Sequence, residues 1–234
     1  MSQMKKVCVL LSGGADSTTL LYYLLDRKAE VLPLTVLYGQ RHSKELESAK
    51  KVASHLRLPL AVADLRSAGF LFQGSALTSD KVGVPEGHYT DESMAMTVVP
   101  GRNLVFLALA GAYAISSKAD SVAYAAHAGD HPIYRDCRPE FMAYVQKALS
   151  SGYNIDLITP FSQMTKSEVV RLGLRLSVPF VDTWSCYEGG ARPCLQCGTC
   201  VERTEAFYRA GIKDPAITSS EWEKAVSYLR ELTK

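Results

Sequence analysis

The stretch "LLSGGADSTTLL" (Leu10–Leu21) carries an apolar run that begins at Val7 through two glycines and an acidic residue into a second series of leucines. The run "VCVLL" (Val7–Leu11) is continuous rather than alternating, as expected of a strand buried on both faces of a parallel sheet. Leu20, Leu21, Leu24 and Leu25 then recur at helical spacing. The glycine pair therefore sits in a strand-to-helix turn. Adjacent glycines permit positive φ and a close approach of backbone to ligand, with amide hydrogens pointing outward. Together with the hydroxyls of Ser12 and Ser17 and the positive end of the following helix, they make a site for phosphate oxygens. Asp16 repels a bare anion and so points to Mg²⁺ bridging protein and phosphate. Ser-Gly-Gly alone reads equally as an ordinary turn; the strand before it and the amphipathic helix after it favour phosphate. The Walker lysine is absent, which excludes the ATPase loop that clamps the β- and γ-phosphates.

Outward from this turn, "EVLPLTVLY" (30–38), "PLAVADL" (59–65), "DSVAYAA" (120–126) and "IDLITPF" (155–161) read as four further strands. Between them lie helical patterns: "SKELESAKKVASHL" (43–56) with Ser43 as N-cap, "VVPGRNLVFLALAGAYAISSKAD" (98–120) capped by Asn103, "RPEFMAYVQKALSSG" (138–152) closed by Gly152, and "TKSEVVRLGLRLS" (165–177). The 98–120 helix is apolar on nearly every face and is expected to be central. Residues 67–93 are too irregular to assign. Strands alternating with helices predict an α/β fold with a doubly wound parallel sheet, which binds ligands at the carboxyl ends of its strands. The first of those ends is the glycine turn.

With 234 residues, 47% of them hydrophobic, the chain can bury a core without staples, and one domain (1–234) is expected. The formal charge of +2 is spread along the sequence, unlike the footprint of a dedicated nucleic-acid binder, so small molecules are the expected partners. The N-terminal "MKKVCVLL" is broken by "SGGADS" before it makes a signal peptide. The longest apolar segment, Leu104–Ile115, falls about eight residues short of a membrane span, so no membrane partner and a cytoplasmic location are expected.

Four of the six cysteines, Cys186, Cys194, Cys197 and Cys200, form C-x7-C-x2-C-x2-C. Four thiolates complete a tetrahedral zinc shell with no open position, which marks a structural site. An iron–sulfur cluster is the alternative, and disulfides are disfavoured in a reducing compartment. The last three cysteines are expected on a loop entering a helix, within a small helical zinc-binding region at about 182–234 that contains "VERTEAFYRAG" and "SSEWEKAVSYLREL". Cys8 reads as a small buried apolar group, and Cys137 as packing rather than a nucleophile. His127, Asp130 and His131 offer a less favoured second metal set.

"SGGADS" (Ser12–Ser17) resembles the SGGxDS loop of the PP-loop ATP pyrophosphatases, and "PFSQMTKSEVVRLG" (160–173) resembles the later segment in which a helix-start lysine, here Lys166, contacts the phosphates. The order and spacing of "LYGQRH" (37–42), "VPGRN" (99–103), "DCRPEF" (136–141) and "TWSC" running into the cysteine cluster are similar to the 7-cyano-7-deazaguanine synthases. That resemblance implies conversion of 7-carboxy-7-deazaguanine, ammonia and ATP to the nitrile by two adenylations, with AMP and pyrophosphate released. It implies a homodimer, structural Zn²⁺, and Mg²⁺ with ATP. The implied ATP site comprises Leu11, Ser12, Gly13, Gly14, Ala15, Asp16, Ser17, Thr18, Tyr38 and Arg41, and the implied catalytic groups are Asp16, Lys166 and Arg102.

Residues 127–140 are the candidate substrate loop: Asp130, Asp136 and Glu140 as acceptors for a guanine-like edge, Tyr134 as a stacking ring. "IYRDCRPEF" places Ile133 and Arg135 where the family wording has glycine and proline. No glutaminase domain fits the length, so free ammonia is the expected nitrogen source. Rival readings are a PP-loop ligase that stops at an amide or joins the carboxylate to a macromolecular amine, a PP-loop tRNA sulfur transferase, and a zinc-bearing interaction module with a vestigial nucleotide site.

Overall fold

A computed structural model describes residues 5–79, 81–89 and 92–233. Five parallel strands, β1 (Lys6–Leu10), β2 (Glu30–Leu37), β3 (Ala61–Asp64), β4 (Ser121–Ala123) and β5 (Asp156–Ile158), form one sheet in the order β3-β2-β1-β4-β5. The chain winds outward from β1 to β3, then returns to the other side of β1 as β4. Order reverses between β1 and β4, and a crevice opens there at the carboxyl ends. Both faces of the sheet are covered, which explains the unbroken apolar run. Cys8 and Leu10 face α3 (Arg102–Ser116) and α4 (Pro139–Tyr153), whereas Val7 and Val9 face α1 (Ala15–Asp26), α2 (Lys44–His55) and α5 (Lys166–Arg175). All five expected strands and the four intervening helices are present.

Two helix ends differ from the sequence reading, and a third is capped where expected but without a side-chain bond to the backbone. The N-cap of α3 is Gly101 in the left-handed region (φ 66°), and Asn103 lies buried within the helix, where its amide donates to the Cys137 sulfur at 3.4 Å. α4 continues through Gly152 and ends at Asn154, whose φ of 55° supplies the left-handed cap. Ser43 occupies the N-cap of α2, but its hydroxyl donates to Glu47 instead of capping a backbone amide. The central position expected for α3 also fails on one side. Leu107, Ala110 and Ala114 are buried, while Leu104 and Ile115 are exposed beside Tyr144 and Tyr153 of α4.

After α5, a short helical turn (Phe180–Asp182) leads through the cysteines into α6 (Gly198–Ala210) and α7 (Ser219–Leu232). These pack through Phe207, Trp222 and Val226 against Phe180, Val170 and Ala15, which docks the C-terminal region onto α1 and α5. Thr165 and Thr218 each close a full capping box, with Glu168 and Glu221 three positions on, worth about 1 kcal/mol apiece.

Candidate active site

The glycine turn is built tightly. Gly13 has φ +85°, and a Cβ there would lie 2.4 Å from the Glu45 carbonyl oxygen and 2.6 Å from the Ala49 nitrogen, so only glycine lets the turn rest on α2. Gly14 is extended (φ −76°, ψ 168°) and serves as N-cap of α1, so positive φ belongs to one glycine of the pair, not both. The Ser12 and Ser17 hydroxyls lie 3.0 Å apart, and the Gly14 amide donates to Ser12 Oγ. These donors face an open cleft whose wall includes Leu11, Ser12, Gly14, Ala15, Asp16 and Ser17 on one side and Tyr38, Arg102 and Tyr134 on the other.

Lys166 begins α5, behind the Thr165 cap, and reaches across the crevice to α1. Its Nζ donates to Asp16 Oδ2 at 2.7 Å and to Glu202 Oε2 of α6 at 3.0 Å, and lies 3.4 Å from His127 Nε2. Asp130 joins the cluster, with Oδ2 3.7 Å from His127 Nε2 and Oδ1 accepting from the Tyr89 hydroxyl at 3.2 Å. Burial opposes the charge on Lys166 but is outweighed by Asp16, Glu202 and Asp130, which hold the ammonium well above its usual range. Burial likewise works to raise Asp16, yet Lys166 and His127 bring its carboxyl below the ordinary value. For Glu202 burial wins, and the carboxyl sits above its usual range. Asp16 is therefore part of a largely enclosed charge cluster, not a surface turn. Its Oδ1 is buried without a hydrogen-bond partner, an orphaned acceptor of the kind a divalent cation satisfies.

The far wall is aromatic and cationic. Arg102, the first residue of α3, lies 6.0 Å from the centroid of Tyr38 and 5.9 Å from that of Phe106. Burial disfavours its charge, and Tyr38, Tyr124 and Tyr187 more than compensate, so the guanidinium stays charged at any ordinary pH. Tyr134 is fixed through its hydroxyl to Thr97 at 2.6 Å and to Tyr187 at 3.3 Å, which leaves its ring beside the cleft.

Beyond this wall the sulfurs of Cys186, Cys194, Cys197 and Cys200 all lie within 4.8 Å of one another. Tetrahedral zinc bonds of about 2.3 Å require sulfurs about 3.8 Å apart, close to the 3.9 Å between Cys194 and Cys200. Backbone amides of Cys194 and Cys197 donate to the sulfurs of Cys186 and Cys194. The Cys194 thiol is pushed far down, first by Cys186, and Cys200 far up by the same neighbour. Four sulfurs at this spacing call for a cation among them. Cys200 lies in the first turn of α6 and the other three on the loop before it, as expected. Among the described residues this is the one such metal-ligand group, and His127, Asp130 and His131 do not form a second.

Residues 6–211 match the model of the queuosine biosynthesis protein QueC family. The chain belongs to that family. Among its relatives, 7-cyano-7-deazaguanine synthase of Archaeoglobus fulgidus is 48% identical over 230 residues, covering 97% of this chain and 96% of the relative. The protein of that name from Caldicellulosiruptor saccharolyticus is 50% identical over 212 residues, 90% of this chain and 94% of the relative. The fold is shared more widely: NMN synthetase from Francisella tularensis superposes with a TM-score of 0.51 at 15% identity, over 97% of this chain and 84% of that one.

Within this family member the cleft gathers most of the residues singled out from sequence: the loop from Leu11 to Ser17 except Gly13, with Tyr38, Arg102, Asp130, Tyr134 and Lys166. Gly13 and Thr18 lie beneath the surface as supports. Arg41 does not line the cleft; its guanidinium donates to the carbonyls of Ala76 and Val82. Asp136 and Glu140 are likewise outside, Glu140 fully exposed in the first turn of α4. Ile133 packs against the core and Arg135 points to solvent, so the two departures from the family wording do not face the cleft. Sequence reasoning did not single out Glu202, Glu45, Tyr124 and Tyr187, which also line the cleft. The signal for Glu202 was its place two residues after Cys200, a carboxylate among the buried positions of α6.

Proposed function

We propose that the chain converts 7-carboxy-7-deazaguanine and ammonia to 7-cyano-7-deazaguanine at the expense of two ATP, each cut to AMP and pyrophosphate. The observation that carries this reading is Lys166 held against Asp16 at the mouth of the SGGADS turn, where a nucleotide's phosphates meet loop amides, the α1 N-terminus and one ammonium group. The amides and the Ser12 and Ser17 hydroxyls hold the pyrophosphate end, while Lys166 and Arg102 offset charge as it leaves. The ring lies against Tyr134, with Asp130 oriented by Tyr89 and the His127 amide to accept hydrogen bonds from the guanine-like edge.

In the first half-reaction a substrate carboxylate oxygen attacks the α-phosphorus and pyrophosphate departs. The ammonia lone pair then adds to the carboxyl carbon, AMP leaves with the C–O electron pair, and one proton is released. In the second, the amide oxygen is adenylated, AMP leaves with the C–O electron pair, and loss of both N–H protons leaves the C≡N bond. Both activations need the same geometry, so one cleft serves twice. Asp16, through its unpartnered Oδ1, would hold Mg²⁺, which supplies positive charge to the phosphates. The four cysteines would hold zinc as a closed structural shell, in one domain that includes residues 182–234. The reduced cysteines of that shell and the use of ATP favour the cytoplasm.

A homodimer fits the open apolar trough between α3 and α4, where Leu104, Ile115, Tyr144 and Tyr153 are exposed. No described helix is long and apolar enough to cross a membrane. The reading is tested by incubating the enzyme with the carboxylate, ATP, Mg²⁺ and ammonium. Phosphorus NMR is expected to give AMP and pyrophosphate, and mass spectrometry the nitrile. ADP and orthophosphate as sole products, or the amide as end product, overturn it.

A further inference from the structure

A second cleft of about 680 Å³ opens on the opposite side of the charge cluster, between the Ala128–Gly129 turn, the start of α5 and the outer face of α6. It shares Tyr89, Lys166 and Glu202 with the nucleotide cleft, so these three side chains are the partition between the two. We propose that the space now filled by the Lys166 ammonium group, between Asp16 and Glu202, is the binding site of the ammonium ion, and that the second cleft is its entrance. The proposal rests on the amination reading above.

A requirement of the reaction and two observations carry it. On the amination reading, nitrogen must reach the carboxyl carbon while a nucleotide and a ring occupy the main cleft. A separate opening meets the same partition from outside. Second, the partition already holds an ammonium group: Nζ accepted by Asp16 Oδ2 at 2.7 Å and Glu202 Oε2 at 3.0 Å, ordinary lengths for charged N–H···O bonds. Third, the cluster sets three carboxylates, Asp16, Asp130 and Glu202, against one lysine. When Lys166 turns toward phosphate, buried acids lose their only lysine, a costly state unless another small cation takes its place. Ammonium offers N–H donors of the same geometry, its arrival is thereby tied to nucleotide binding, and the proton it sheds to become the attacking ammonia leaves to solvent through the second cleft.

The test uses the full chain with ATP, Mg²⁺ and the carboxylate. Exchange of pyrophosphate into ATP, measured without ammonium, reports adenylation alone; ammonium KM reports the new site. Ala128→Leu narrows the second cleft without touching the nucleotide, so exchange is expected to persist while ammonium KM rises about tenfold, the scale of one lost charged contact. Glu202→Gln is expected to raise ammonium KM by a similar factor, with a smaller change in kcat. Ammonium KM within about twofold of the parent in both variants overturns the proposal, on a scale where one lost charged contact is worth tenfold. Rubidium, a cation of ammonium's size, is expected to compete with ammonium and not with ATP in the unaltered enzyme, which decides the matter even if a variant fails to fold. Rubidium without such competition also overturns it. Absence of exchange in the unaltered enzyme instead sinks the adenylation reading.

Discussion

Replacing Lys166 by methionine keeps the length of the side chain and removes its charge, leaving Asp16, Asp130 and Glu202 without their lysine. The side chains of Lys166, Asp16 and Glu202 are only 15%, 21% and 8% exposed, so water compensates little. Breaking a buried pair by removing one partner costs about 3–5 kcal/mol, a large share of a typical 5–15 kcal/mol stability. Burial of the lysine itself runs the other way, but one removed cation against three retained anions leaves destabilisation the winner. Lys166→Met is expected to lower the urea midpoint at unchanged slope, and Lys166→Met with Glu202→Gln to recover about 1–3 kcal/mol. Pyrophosphate exchange is expected to stay lost in both, since neither restores the charge at the phosphates. The pH dependence fixes the sign. In the parent, Asp16 is held below its ordinary 3.8 because Lys166 and His127 overcome its burial. Its contribution is therefore complete above pH 3.8 and is lost as pH falls through the depressed value. In Lys166→Met that depression is gone, and the stability gap between variant and parent narrows in acid. An unfolding free energy within about 0.5 kcal/mol of the parent at neutral pH refutes the claim that Lys166 neutralises this cluster.

Gly13→Ala places a methyl group into the backbone of α2 at a φ that alanine disfavours, and is expected to cost about 2–4 kcal/mol with a matching loss of ATP affinity, read by thermal unfolding and by nucleotide KM. Cys197→Ser is expected to abolish a metal content of about one zinc per chain by elemental analysis, and a loss of about 3 kcal/mol lowers Tm by about 6–12 °C. Iron together with a visible absorption band would reassign the centre as an iron–sulfur cluster. Tyr144→Glu, on the exposed face of α4, is expected to turn a dimer into a monomer by light scattering while leaving the monomer's fold intact.

Local grammar made most of the scaffold legible. The apolar run at Val7–Leu11 and the turn after it placed β1, α1 and the crevice, because a strand buried on both faces has no other sequence form. The C-x2-C-x2-C spacing placed the metal site for a similar reason: ligands close in sequence need little help from tertiary structure. Helix ends were less readable, since Gly152 and Asn154 both suit a left-handed cap and only the packing of Leu149 against the sheet decides between them. Charged residues in loops were the least readable. Arg41, Asp136 and Glu140 have the right chemistry, yet none lines the cleft: Arg41 is drawn to Ala76, 35 residues away, and Glu140 stands exposed on the first turn of α4. Glu202 met the converse difficulty, for nothing near it in sequence reveals that α5 brings Lys166 to its side from 36 residues away.

The position of Glu202 also changes what the cysteine site does for the enzyme. A closed thiolate shell cannot activate water, so metal loss was expected to act through stability alone. Glu202, however, lies on the helix that the cysteines begin, two residues beyond Cys200. Arg203 anchors that helix to Asp214 through two bonds of 2.6 and 2.9 Å, to Thr183 and the Phe180 carbonyl, and to the Ser185 hydroxyl at 3.3 Å. The first turn is held in addition by the cysteine cluster and by Thr199, whose hydroxyl donates to the Ser185 carbonyl. The segment before it closes on the glycine turn, with the Trp184 amide donating to the Gly13 carbonyl at 3.0 Å. Losing a metal held by the four sulfurs is therefore expected to loosen two of the contacts by which the C-terminal region meets the crevice: the backbone clasp on the glycine turn and the carboxylate against Lys166. Such a metal would act on catalysis through the position of these groups, without touching a reacting atom.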